Sequence, residues 1–170
     1  MNIIFRYIEI CLFKASPADI PSTHWIMKFS LLAYFIIGVV ISRIDQNWDV
    51  SLFSSLTDTL VMIVASLLFL QFRGVKARFQ QTVTALAGTG SCIGLVGIPV
   101  VYFFNIVKEN EQFAGLAMLL LIALMIWSLM VTAHIYRTAL EIKPGTAVIL
   151  TVAYTIISLM LVGLTISGVA

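Results

Sequence analysis

Residues 81–107 read QTVTALAGTGSCIGLVGIPVVYFFNIV, a run without a single charge. About 20 apolar residues suffice to cross a bilayer as a helix, so this segment spans. Stepping three and four residues from Val83 gives Ala87, Gly90, Gly94, Gly97 and Val101 on one side of that helix. In lipid, helices associate through close van der Waals contact, so such a stripe is a contact face, and Gly90 and Gly94 match G-x-x-x-G. Pro99 has no N–H to offer the carbonyl of Leu95, which predicts a kink over 95–99 and a freed carbonyl that protein or water must satisfy. Ala87, Gly90, Gly94, Gly97 and Pro99 are therefore read as helix-packing residues. The rival reading is a helix broken around a substrate or ion site, as in transporters; such folds pair two interrupted helices, and no second Gly/Pro-interrupted segment occurs.

The rest of the chain has the same character. Of its 170 residues, 61% are hydrophobic and 11% charged, and the mean hydropathy is +1.06. These values exclude an ordinary soluble domain and predict an all-α, polytopic membrane protein forming a single integral domain over 1–170. Ten basic against eight acidic residues, scattered along the chain, exclude nucleic-acid binding. Cys11 and Cys92 form neither a disulfide framework nor a zinc pattern, and no metal or cofactor is expected.

Five crossings are predicted, at about 25–44, 56–72, 83–107, 113–136 and 146–169, at the residue count a bilayer demands. Ahead of them, residues 2–14 place Asn2, Arg6, Glu9 and Lys14 on one arc and apolar residues on the rest, the pattern of an interfacial amphipathic helix. A signal peptide has the opposite polarity, with its charges first, so this helix is expected to be retained. RIDQNWDVS is read as a polar loop, which puts Asp58 in the first turn of the second crossing, near the outer surface, where the helix dipole suits a carboxylate. A tight acidic turn, KENEQ, separates the third and fourth crossings. In the fifth crossing, Ala147, Thr151, Thr155, Ser158, Val162 and Thr165 form a second stripe of small residues. Thr151, Thr155 and Ser158 are assigned to packing, with the glycine groove as the simplest partner.

Basic residues set the orientation. Arg6, Lys14, Lys28, Arg73, Lys76, Arg78, Arg137 and Lys143 fall on one side, against Arg43 and Lys108 on the other. The N-terminus is accordingly expected in the cytoplasm and the C-terminus outside. The turn carrying Arg73, Lys76 and Arg78 is the candidate contact for anionic lipid or a protein partner.

Candidate chemistry is thin. At about 1.5 Å of rise per residue, Asp58, Cys92 and His134 fall at different depths, which argues against an intramembrane enzyme. His134 is expected at headgroup level, bonded to a backbone carbonyl or a lipid phosphate. Trp127, in the middle of the fourth crossing, is expected to fill the groove left by the glycines.

The segments FRGVKARFQQTVTALAGTGS (72–91), SPADIPS (16–22) and WSL (127–129) together resemble the Yip1-like family of small membrane proteins, in its bacterial branch. That resemblance implies five transmembrane helices, a cytosolic N-terminus, a short outward C-terminus and a bacterial inner-membrane location. Eukaryotic members act in vesicle trafficking and bind small GTPases through a long N-terminal region that this chain lacks, so that activity does not carry over. The resulting expectation is a non-enzymatic scaffold or adaptor that engages membrane lipids or a membrane or cytosolic protein through its basic face, with a homo-oligomer as a separate expectation. The alternative is a small transporter or channel using the third and fifth crossings.

Overall fold

The structure, a computed structural model, describes residues 3–108 and 111–169. Asn2, and Glu109 and Asn110 of the acidic turn, lie outside the described residues. The described chain is all helical: a short α1 (Ile3–Cys11), then α2 (His24–Arg43), α3 (Trp48–Phe72), α4 (Phe79–Val107), α5 (Glu111–Leu140) and α6 (Pro144–Val169). The last five are each long and apolar enough to span a membrane, which makes this an integral membrane protein of five crossings. Their outward faces, such as Leu119, Met160 and Leu164, are about two-thirds exposed, as lipid-facing side chains are once the bilayer is removed.

The five spans close into a ring. α2 packs on α4, α4 on α5, α5 on α6, α6 on α3 and α3 back on α2. Five rods in a ring leave space along the axis that only long inward side chains can fill. This order also corrects the expected pairing of the two small-residue stripes: α4 and α6 are not ring neighbours. The groove of α4 receives α2 instead. At Gly90 an added Cβ would lie 2.6 Å from Cε2 of Tyr34, and at Gly94 2.6 Å from Cγ2 of Ile37, so only glycine admits this approach. Gly97 faces Leu124 of α5, and Ala87 is fully buried. Pro99 does not belong to the packing face, because it is exposed on the outside of a helix that continues through it to Val107.

α3 differs most from expectation. It begins at Trp48, eight residues earlier than predicted, because its polar first turns are not a loop but a packing face. Ser51, Ser54 and Ser55 are buried; Ser54 bonds Ser42 of α2 at 3.3 Å, and Ser55 Oγ lies 3.2 Å from where a Cβ of Gly38 would sit. Hydroxyls are buried here where a backbone carbonyl accepts from them: Ser51 donates to Asn47 O, Ser54 to Ser51 O and Thr59 to Ser55 O.

Three helices end in the same way. The N–H of Lys14 reaches Glu9 O, that of Val75 reaches Leu70 O, and that of Ile142 reaches Arg137 O, each across one left-handed residue. This is the Schellman closure. Glycine occupies the left-handed position only at Gly74; Phe13 and Glu141 occupy it in the other two.

Candidate functional site: a carboxylate in a five-helix cavity

The helix register decides the depth of Asp58. With α3 starting at Trp48, the residue sits ten positions in, about 15 Å from that end at 1.5 Å per residue. The predicted place near the outer surface is therefore wrong: Asp58 is at mid-membrane depth. Tyr34, ten positions into α2, and Ser158, fourteen into α6, reach the same level from opposite sides of α3. The Tyr34 hydroxyl donates to Oδ2 of Asp58 at 2.5 Å, and the Ser158 hydroxyl to Oδ1 at 2.6 Å. Ser158 thus belongs to this cluster rather than to a stripe packed on α4.

An aspartate at the centre of a membrane helix costs about 2.5–3.5 kcal/mol. Side-chain hydrogen bonds between helices in lipid contribute on average about 0.6 kcal/mol each. Two of them offset less than half the cost, so stability does not account for Asp58. No Lys, Arg or His among the described residues is within ion-pair distance of it.

Around the carboxylate lies the ring's axial space, a cavity of about 720 Å³ lined by all five spans. Tyr34, Gly38, Ser42, Ser54, Ser55, Asp58, Ser128, Tyr154, Thr155 and Ser158 supply its polar wall, while Ile41, Met62, Leu86, Ile93, Leu121 and Leu124 are among the apolar residues that form the rest. The volume is that of ordinary small-molecule sites, which are mostly apolar with a few placed polar groups. The phenol of Tyr154 makes no hydrogen bond among the described residues although the ring lines this space. One turn earlier on α6, Thr151 is buried and its Oγ1 has no hydrogen-bond partner among the described residues. Below the cavity the core closes on Tyr136, fully buried, bonded to Ser66 at 3.2 Å and edge-on to Phe69 and Tyr154.

Gly90 and Gly94 also line this cavity, whereas Cys92, Trp127 and His134 lie outside its wall. Cys92 sits against Cys11 of α1, whose thiol approaches Thr89 O at 3.8 Å. His134 receives α1's exit: its Nε2 bonds Ala15 O at 3.0 Å and its ring meets Phe13 edge-on. The backbone-carbonyl partner expected for His134 is therefore present. Trp127 does not fill the glycine groove; its Nε1 donates to Cys11 O at 3.0 Å. Together these contacts dock α1 on the bundle. Tyr7 lies in the gap that Gly88 leaves and bonds Ser30 at 2.7 Å, and Ile10 and Cys11 are buried, so only the face carrying Ile4, Phe5 and Ile8 is left for lipid. The expected N-terminal helix is present, and these contacts fasten it to protein.

In the basic turn, two of the three cations serve the fold. Arg73 donates to Leu140 O at 3.3 Å; Arg78 donates to Ala139 O at 3.2 Å and pairs with Glu141 at 2.5 Å. They satisfy the orphan carbonyls at the end of α5. Lys76 remains exposed.

Among the described residues no three His, Cys, Asp or Glu side chains come together to hold a metal ion, and no hydrogen bond joins Asp58, Cys92 and His134. No family model, curated protein or solved structure matches the chain.

Proposed function

We propose that the protein is a non-enzymatic integral membrane protein that receives a small solute in the Asp58 cavity, the transport reading rather than the scaffold reading. The observation that carries it is a mid-membrane carboxylate without a counter-charge among the described residues, lining a cavity of ligand size. Ionisable groups at such depth mark solute or ion pathways more often than they serve packing. The scaffold reading used the basic face and the N-terminal helix and drew on a lack of convergent polar residues. Against it, Tyr34 and Ser158 converge on Asp58, and Arg73 and Arg78 each hold a carbonyl of α5, while Arg73 and Lys76 stay exposed. The transport route differs from the one the sequence pointed to. It runs along the axis between all five helices, with Asp58 of α3 as its binding group, and not along a groove between α4 and α6.

The charge asymmetry supports a bacterial inner membrane setting with the N-terminus and the 73–78 turn in the cytoplasm. The resemblance to the bacterial Yip1-like branch stands as part of the same proposal, as does self-association through the exposed apolar faces.

Cysteine accessibility tests the reading. In a background with Cys11 and Cys92 replaced by alanine, Ser42→Cys and Ser128→Cys on the cavity wall and Leu119→Cys on the lipid face are exposed to a small water-soluble methanethiosulfonate in native membranes. The cavity positions are expected to react and the lipid-facing one to stay inert. Cavity positions as inert as Leu119→Cys remove the pathway and the proposal with it.

A further inference from the structure

The chemistry of the wall narrows the solute. We propose that the cavity binds a monovalent lipophilic organic cation, its charged head against Asp58 and its apolar body along the aliphatic wall; this rests on the solute reading above. The first argument is charge. Asp58 is a single carboxylate with no cation of its own chain at hand among the described residues, so a ligand that brings one positive charge neutralises the site without leaving a surplus. A carboxylate has about four lone-pair positions, and the hydroxyls of Tyr34 and Ser158 use two. The remaining two carry no hydrogen bond among the described residues, and Asp58 lines the cavity, which leaves them for an ammonium donor or for the diffuse charge of a quaternary head.

The second argument is what the site lacks. Hard cations such as calcium and magnesium take six or more oxygen ligands. Here the hydroxyls nearest the carboxylate already direct their protons at it, and much of the remaining wall is aliphatic, with Met62, Leu86 and Ile93 as examples. That wall suits a ligand with a large apolar body. The third argument is aromatic: the rings of Tyr34 and Tyr154 both line the cavity, and ring faces attract cations, more strongly where water is excluded. Depth then separates a free cation from a choline or ethanolamine headgroup, which stays at the membrane surface while Asp58 lies about 15 Å in from the nearer end of its helix.

A charge series of one shape tests the inference. Tetraphenylphosphonium and tetraphenylborate share a body and differ in sign. Equilibrium binding of each is measured on the purified full-length protein in a non-ionic detergent, with wild type and Asp58→Asn, and competition by phosphocholine is included. Wild type is expected to bind the phosphonium saturably, to ignore the borate, and to be unaffected by phosphocholine; Asp58→Asn should weaken the phosphonium on the order of tenfold or more. Equal binding of both ions, no binding of the phosphonium, or an unchanged affinity in Asp58→Asn overturns the cation assignment, and displacement by phosphocholine overturns the free-cation form of it. The comparison of the two ions on wild type does not depend on how well the variant folds. Failure here with reactive cavity cysteines leaves solute binding intact and rejects only its charge class; inert cavity cysteines reject both.

Discussion

Gly90→Ala concentrates the packing argument in one methyl group. The added Cβ would meet the Tyr34 ring at 2.6 Å from Cε2 and 2.8 Å from Cδ2, closer than carbon atoms tolerate, so the ring must swing away. That ring carries the hydroxyl bonded to Asp58, so displacement also breaks a hydrogen bond to a carboxylate. Overpacking of this kind costs about 1–3 kcal/mol, and the lost interhelical hydrogen bond about 0.6 kcal/mol more. Against them stands the gain from removing a helical glycine, about 0.5–1 kcal/mol. The loss wins, by about 0.6–3 kcal/mol. Gly115 and Gly163 supply the control, because a Cβ on either meets nothing within 4 Å, and alanine there should stabilise by the propensity gain alone. Thermal unfolding in detergent, followed by circular dichroism, compares the three. Tyr34→Ala opens the space, so Gly90→Ala added to it should cost little, and the double-mutant cycle should show strong coupling. If Gly90→Ala raises the melting temperature as Gly115→Ala does, α2 and α4 do not meet in this way and the position of Tyr34 beside Asp58 loses its basis.

Two further outcomes concern α1. Trp127→Phe and His134→Ala each strand a backbone carbonyl, of Cys11 and Ala15 respectively, at about 1–3 kcal/mol; both should speed proteolysis of residues 3–20 in membranes while the five spans stay intact, and unchanged cleavage would show that α1 is held by other contacts. Cys11 has its thiol pushed well above the usual range, first by the hydrogen bond it shares with Cys92 and then by burial, so it stays protonated through neutral and mildly alkaline pH. Maleimide labelling of Cys11 should therefore stay slow as pH rises through the range where an exposed thiol accelerates; a normal rise in rate would mean that α1 leaves the bundle.

The five crossings were legible because charge-free runs of bilayer length have one reading in lipid. The start of α3 was not, because Ser51, Ser54, Ser55 and Asp58 look like loop until their neighbours are known. Ser51, Ser55, Thr59, Met62 and Ser66 in fact recur at three- and four-residue steps, a small-residue stripe as regular as that of α4, and reading it would have moved the helix start and the depth of Asp58 together. The glycine face of α4 was visible, but not that α2 would occupy it, since the ring order is a property of all five helices at once. Trp127 and His134 were conspicuous, yet their partners are main-chain carbonyls on a segment more than a hundred residues away, and backbone acceptors leave no mark in a sequence.

That separation also sets an order of assembly. The groups that fasten α1 lie 116 and 119 residues downstream of the carbonyls they bind. At roughly 5–20 residues per second of synthesis, α1 waits on the order of six seconds or longer before Trp127 exists. During that interval only α2 and α4 can hold it, through Ser30 and Gly88. The first residues to leave the ribosome thus reach their final place only after α5 arrives, and α6, made last, then closes the ring against α3 and α5.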